Sequence, residues 1–135
     1  MTLETILHPQ PLTTSPHDRL IMKVSADTQL SPNVMTLFTN AKYKQPHFEG
    51  DIDLLQIMIN SHFYGETPYK EIPVDETRLL MYEMKTTDNT KNRDKAMEQL
   101  YKSKNFLRRY SDYHDIDCFY ASWCGKSYVM KWVDM

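Results

Sequence analysis

Two short apolar stretches of this chain each become charged at one end. Asp51 and Asp53 open the segment that continues through Leu54, Leu55, Ile57, Met58 and Ile59, and the segment that begins Leu79, Leu80, Met81 runs into Glu83 and Lys85. Side chains alternate between the two faces of a strand. Asp51 and Asp53 therefore share a face with Leu55, Ile57 and Ile59, and Glu83 and Lys85 share one with Leu79 and Met81. Asp53 lies near the start of its strand and Glu83 near the end of its own, so antiparallel pairing brings these ends together. Carboxylates gathered at the ends of buried strands repel one another and lose hydration. A divalent cation offsets that cost, and an oxygen-only donor set suits Mg²⁺ or Mn²⁺. The histidines at 8, 17, 47, 62 and 114 have no metal-ligand spacing.

The elements that must position these groups follow from periodicity and punctuation. Residues 51–59 read as a strand, apolar on both faces beyond its first residues and so central in a sheet. Residues 60–77 hold Gly65, Pro68 and Pro73 and read as loop. A second strand runs from Leu79 to Thr86. Residues 90–110 read as a long helix with Ala96, Met97, Leu100, Tyr101 and Leu107 as its inner stripe. Ile116–Ala121 and Tyr128–Val133 read as two strands, joined in a hairpin through Gly125. Upstream, residues 1–18 carry three prolines and read as an irregular arm, and Arg19–Ser25 as a short strand. Ser31 is a good helix cap and Pro32 suits a first helical position. Val34, Leu37, Phe38 and Ala41 then follow at helical spacing, which predicts a helix ending near Lys42. Met22, Met35, Met58, Met81 and Met97 fall in core stripes, Cys118 reads as a small buried hydrophobe, and Trp123 and Trp132 as core or interface residues. The whole is a single α/β domain over 1–135, a central mixed β-sheet flanked by helices.

Length and composition are those of one ordinary globular domain: 135 residues, 41% hydrophobic and 25% charged, with only 3 glycines. No apolar run is long enough to span a membrane, and the N-terminus carries no signal-peptide pattern. Two cysteines are too few for a disulfide framework or a four-thiolate metal site, which points to an intracellular, reducing compartment. The net charge of −2 conceals an acidic segment, −6 over residues 45–89, followed by +5 over residues 90–110. Such a neighbourhood is either a cation site beside a polyanion-binding face or an ordinary solvated helix.

Gly50-Asp51-Ile52-Asp53-Leu54-Leu55, then Leu79-Leu80-Met81-Tyr82-Glu83-Met84-Lys85-Thr86, then a basic helix containing Gln99, resembles the PD-(D/E)xK nuclease superfamily, most closely the archaeal Holliday junction resolvases and small phage and viral nucleases. The resemblance covers roughly residues 31–121. It departs from the pattern at Ile52, where a proline can stand, in the lack of a glutamate in residues 32–44, and at Ser103, where one subgroup has tyrosine. The resemblance implies a restriction-endonuclease-like core. It makes Asp53 and Glu83 the acidic positions, Lys85 the lysine and Gln99 the glutamine of the following helix. A cation held by Asp53, Glu83 and the Met84 backbone carbonyl would activate water and polarise a phosphate. Lys85 would orient that water or stabilise developing charge. Asp51 is either an outer partner to the metal or a solvated strand end, and Gln99 orients Lys85, touches nucleic acid or simply packs.

These readings converge on a Mg²⁺-dependent nuclease acting on DNA, with RNA not excluded and branched or single-stranded forms as candidate substrates. Lys91, Lys95, Lys102, Arg108 and Arg109, with Lys104, are the candidate phosphate contacts. The apolar C-terminal hairpin (Trp123, Tyr128, Trp132 and Val133) leads us to expect a homodimer. The alternatives are a catalytically inactive nuclease-fold protein that binds nucleic acid or a protein partner, and an unrelated small α/β interaction protein.

Overall fold

The computed structural model describes residues 2–61 and 64–135; His62 lies outside them. The chain folds into a mixed six-stranded sheet with a helix on each face. The elements are α1 (Leu3–Ile6), β1 (His8–Pro9), α2 (Pro16–Thr28), β2 (Val34–Gln45), β3 (Phe48–Ile59), β4 (Thr77–Lys85), α3 (Thr90–Tyr110), β5 (Ile116–Cys124) and β6 (Ser127–Val133), with two single 3₁₀ turns ahead of β4. The strands lie side by side in chain order. All neighbours are antiparallel except β4 and β5, which α3 joins as a crossover.

The central strands and α3 form where the pattern predicts them, and α3 spans residues 90–110. Its start is set by Asn89, whose side chain accepts the N–H of Asn92 at 2.8 Å. Its inner face buries Ala96, and packs Leu100, Phe106 and Leu107 against Leu55, Ile57, Leu79, Met81, Ile116 and Cys118. Phe106 stacks on Tyr43 of β2 with centroids 3.9 Å apart. Tyr101, expected in that stripe, is exposed instead. Among the methionines of the expected core stripes, Met81 is buried, whereas Met22 and Met35 are exposed.

Two upstream expectations are reversed. Arg19–Ser25 lies within the helix α2, and the expected helix of residues 31–42 is mostly the strand β2. The same Ser-Pro pair opens both segments. At Ser15-Pro16, Ser15 Oγ accepts the N–H of Asp18 and the helix proceeds, burying Leu20, Ile21, Val24 and Ser25 at helical period. At Ser31-Pro32 the chain makes a turn, closed by Val34 N–H donating to the Ser31 carbonyl, and enters β2. The helix-like spacing of Phe38 and Ala41 has a strand origin. The register shifts between Thr36 and Phe38, and Asn40 adopts a left-handed backbone with φ 49°. Phe38 and Ala41 then join the same cluster, as do Leu55 and Ile52 opposite them. Such irregularities break the period of two and re-aim side chains.

Nor is the N-terminal segment only an arm. Leu3, Ile6 and Leu7 are buried in the α3-side core, and His8–Pro9 pairs with β2. On the other face, α2 covers Leu54, Leu80, Tyr82, Met84 and Ala121.

Candidate metal centre

The antiparallel register that sets Leu54 opposite Tyr82 carries Asp53 to the side of Glu83. Asp51, Asp53 and Glu83 each present a carboxylate oxygen within 4.8 Å of the others. Asp53 and Glu83 are only 3% and 5% exposed. The carboxylates are held from two elements, β4 and α3. Asp53 Oδ2 accepts the main-chain N–H of Met84 at 2.8 Å, so the backbone of Met84 meets the cluster. Asp51 is fixed from α3: Gln99 Nε2 donates to its carbonyl at 2.6 Å and to its Oδ1 at 3.1 Å. Ser103 Oγ adds a donor to the same carbonyl at 3.3 Å. Lys85 Nζ stands 3.9 Å from Glu83 Oε1.

Gly50 permits this approach of α3. A Cβ there would lie 2.6 Å from Tyr43 Oη and 2.9 Å from Gln99 Nε2. With no side chain at position 50, Gln99 and Tyr43 keep these positions; a Cβ there would make one or both of them shift.

From the opposite face, α2 supplies a residue that sequence reasoning missed. His17 Nε2 lies 3.2 Å from Asp53 Oδ2, and its Nδ1 lies 3.0 Å from Asp18 Oδ1. Asp18 is anchored in turn, accepting Thr13 N–H at 2.7 Å and Thr13 Oγ1 at 2.9 Å. The available signal was Ser15-Pro16, a capped helix start that places His17 in the first turn. Asn40 also lines the site, at the left-handed position of β2.

Protonation follows the crowding. Burial, and then the charges of Asp53 and Asp51, push the Glu83 carboxyl well above its ordinary range, while Lys85 pulls it down. Burial and Asp53 raise Asp51. His17 is raised to about 9, chiefly by its hydrogen bond to Asp53, against the opposing effect of burial. The Thr13 amide, and then His17, hold Asp18 below the usual carboxylate range. The three clustered carboxylates form an all-oxygen donor set that fits a hard divalent cation.

The cluster forms the floor of a cleft of about 680 Å³ that Lys85, Lys95, Glu98, Gln99, Tyr101, Lys102, His17 and Asn40 also line. Asp51, Asp53, Glu83, Lys85 and Gln99 are thus brought together, with Lys95 and Lys102 on the α3 wall. Lys91, Arg108 and Arg109 are exposed on α3 but outside the cleft. Arg108 Nε donates to the His114 carbonyl. Lys104, grouped by sequence with the phosphate contacts, is buried and donates to the Met135 carbonyl at 3.1 Å.

No helix among the described residues is long and apolar enough to cross a membrane. No protein-family model matches the chain, and no curated protein and no solved structure matches it. Fold and site therefore define the class directly: an α/β protein with a mixed sheet flanked by helices and a buried acidic cluster beside a lysine.

Proposed function

We propose that this chain is a divalent-metal-dependent nuclease with a restriction-endonuclease-like core of the PD-(D/E)xK kind, hydrolysing phosphodiester bonds of DNA. One observation carries the reading: three carboxylates within 4.8 Å of one another, two of them buried, share a cleft with Lys85, Lys95 and Lys102. A binding module has no use for buried carboxylates where a polyanion must approach, because they repel it.

Asp51, Asp53 and Glu83 would hold Mg²⁺ or Mn²⁺. The bound cation supplies a water of lowered pKa and polarises a phosphoryl oxygen. The chain's own residues do the rest. Gln99 and Ser103 fix the Asp51 backbone, and Met84 N–H and His17 hold the Asp53 carboxylate through Oδ2. Lys85, next to Glu83, orients the attacking water or balances the charge that develops on the phosphoryl oxygens. Lys95 and Lys102 hold the flanking phosphates without reading bases.

The test is incubation of the protein with labelled linear, single-stranded and four-way-junction DNA, and with RNA, in Mg²⁺, Mn²⁺ or EDTA. Cleavage that EDTA abolishes supports the reading. Metal-independent binding without cleavage of any substrate selects the catalytically inactive alternative.

The protein would act as a homodimer through β6, which forms one edge of the sheet. Trp123 and Tyr128 are tied to α2 through the Pro16 carbonyl and Asp27, but Trp132 is 59% exposed, with Val129 and Met130 beside it on the strand. Sedimentation should find twice the 16.0 kDa chain mass; a purely monomeric species at micromolar concentration rejects the dimer.

A further inference from the structure

Tyr101 belongs by spacing to the inner stripe of α3, yet its side chain faces outward and is 62% exposed. The helix is not rotated to achieve this, since Leu100 and Ser103 on either side are buried. A lone exposed tyrosine on a helix is ordinary. This one lines the cleft above whose floor the acidic cluster sits, on the same wall as Lys95 and Lys102. Neither lysine forms an ion pair with a described residue, whereas Lys85 deeper in the cleft faces Glu83. The wall thus offers one open aromatic side chain and two ammonium groups without an ion-pair partner among the described residues, with the Glu98 carboxylate on the same wall.

The nature of the ligand follows from which surfaces a polynucleotide can present. In a duplex the base faces are stacked on one another and only base edges and phosphates reach the outside. An aromatic side chain in a concave wall has nothing to stack on there. An unpaired base has a free π-face, and single-strand-binding grooves combine such stacking with cations that track the backbone. An exposed ring beside lysines without ion-pair partners suits an unpaired strand, whose bases can stack on it while its phosphates meet the cations.

We infer that the cleft receives a single-stranded polynucleotide, one unpaired base stacking on Tyr101 while the flanking phosphates lie against Lys95 and Lys102. This substrate class rests on the nuclease reading given above.

The experiment is a binding titration of labelled oligothymidylate, oligouridylate and a blunt duplex of equal length, in EDTA at low salt, with wild type, Tyr101→Ala and Tyr101→Phe. Wild type should bind single strands more tightly than duplex. Tyr101→Ala should weaken single-strand binding by roughly five- to a hundredfold, the loss of about one stacked base, and leave duplex binding unchanged. Tyr101→Phe should bind as wild type, because the ring and not the hydroxyl stacks. The oligothymidylate and oligouridylate arms separate DNA from RNA as the source of the strand. Equal or tighter duplex binding, or unaltered single-strand binding by Tyr101→Ala, overturns the inference. If the protein still cleaves in Mg²⁺ in that case, only the inference falls. If it binds no polynucleotide and cleaves none, the nuclease reading falls with it.

Discussion

Helices α2 and α3 cover opposite faces of one sheet and both reach into the same cleft, but they do so by different physics. α3 spans 21 residues and holds Asp51 through a neutral amide, Gln99, from the middle of the helix. α2 spans 13 residues and meets Asp53 through an imidazole in its first turn, with Asp18 behind it. The α3 contact survives any change of protonation. The α2 contact is electrostatic, a cationic ring between two carboxylates, and depends on the charge of the cluster. The same site is thus clamped rigidly on one side and responsively on the other. A cationic ring beside clustered carboxylates offsets part of their mutual repulsion.

The largest effect separates the cluster from both clamps. Asp53→Asn and Glu83→Gln are each expected to reduce Mg²⁺-dependent cleavage to background in a labelled-DNA assay. Their thermal stabilities in EDTA should diverge. Glu83→Gln removes a carboxyl that burial and like charges disfavour, so its melting temperature should hold or rise. Asp53→Asn leaves His17 with Asp18 as its one carboxylate partner, so its melting temperature should fall. A rise of similar size in both variants would mean that α2 does not counterbalance the cluster.

The next test compares how each helix is attached. Phe106 is fully buried and stacked on Tyr43. Phe106→Ala is expected to cost about 3–5 kcal/mol in denaturant unfolding. Leu20→Ala, on the α2 face, falls in the range of about 2–5 kcal/mol. A smaller loss for Phe106→Ala than for Leu20→Ala would reverse the assignment of α3 as the stiffer side.

A subtler effect isolates the responsive clamp. The His17 pKa lies above its ordinary 6.5, at about 9, so its contribution to stability is fully present below pH 6.5 and is lost as pH rises through about 9. In EDTA, the melting temperature of His17→Gln should therefore lie below wild type near pH 6, and the gap should close by about pH 9–10. Gln99→Ala should show a gap that does not narrow over the same range. A constant gap for His17→Gln would assign it a packing role only.

The smallest expected effect lies on the outer face of α3. Lys102 lines the cleft and Arg109 does not. Lys102→Ala should weaken DNA binding about equally for all sequences and flatten the log–log salt dependence by roughly one unit. Arg109→Ala should change the slope less. Equal slopes in the two variants would place the nucleic acid along the whole helix rather than in the cleft.

Much of the carboxylate site was legible in the residues. Asp53, Glu83 and Lys85 sit on strands that are apolar on both faces along most of their length, which marks central strands of a sheet. The basic helix was equally plain, because a capped 21-residue amphipathic segment has little alternative. The other half of the site was not legible. Ser15-Pro16 and Ser31-Pro32 are the same local signal, and the runs that follow them contain β-branched and apolar residues compatible with either period. What separates them is where their apolar groups end up. Leu20, Ile21 and Val24 cap the face formed by Leu54, Leu80 and Tyr82, while Phe38, Ala41 and Tyr43 extend the sheet beside β3.

By itself, then, the sequence determined the strand pair that carries Asp51, Asp53, Glu83 and Lys85, the crossover helix with Gln99, and the C-terminal hairpin, because in each the hydrophobic period is local and unambiguous. Only the tertiary structure decided that α2 is a helix and β2 a strand, that Asn40 takes a left-handed backbone beside the site, that His17 joins Asp53 and that Tyr101 turns outward. Those outcomes depend on pairings between residues distant in the chain, and local propensity is too weak to choose among them until the sheet supplies a surface to cover.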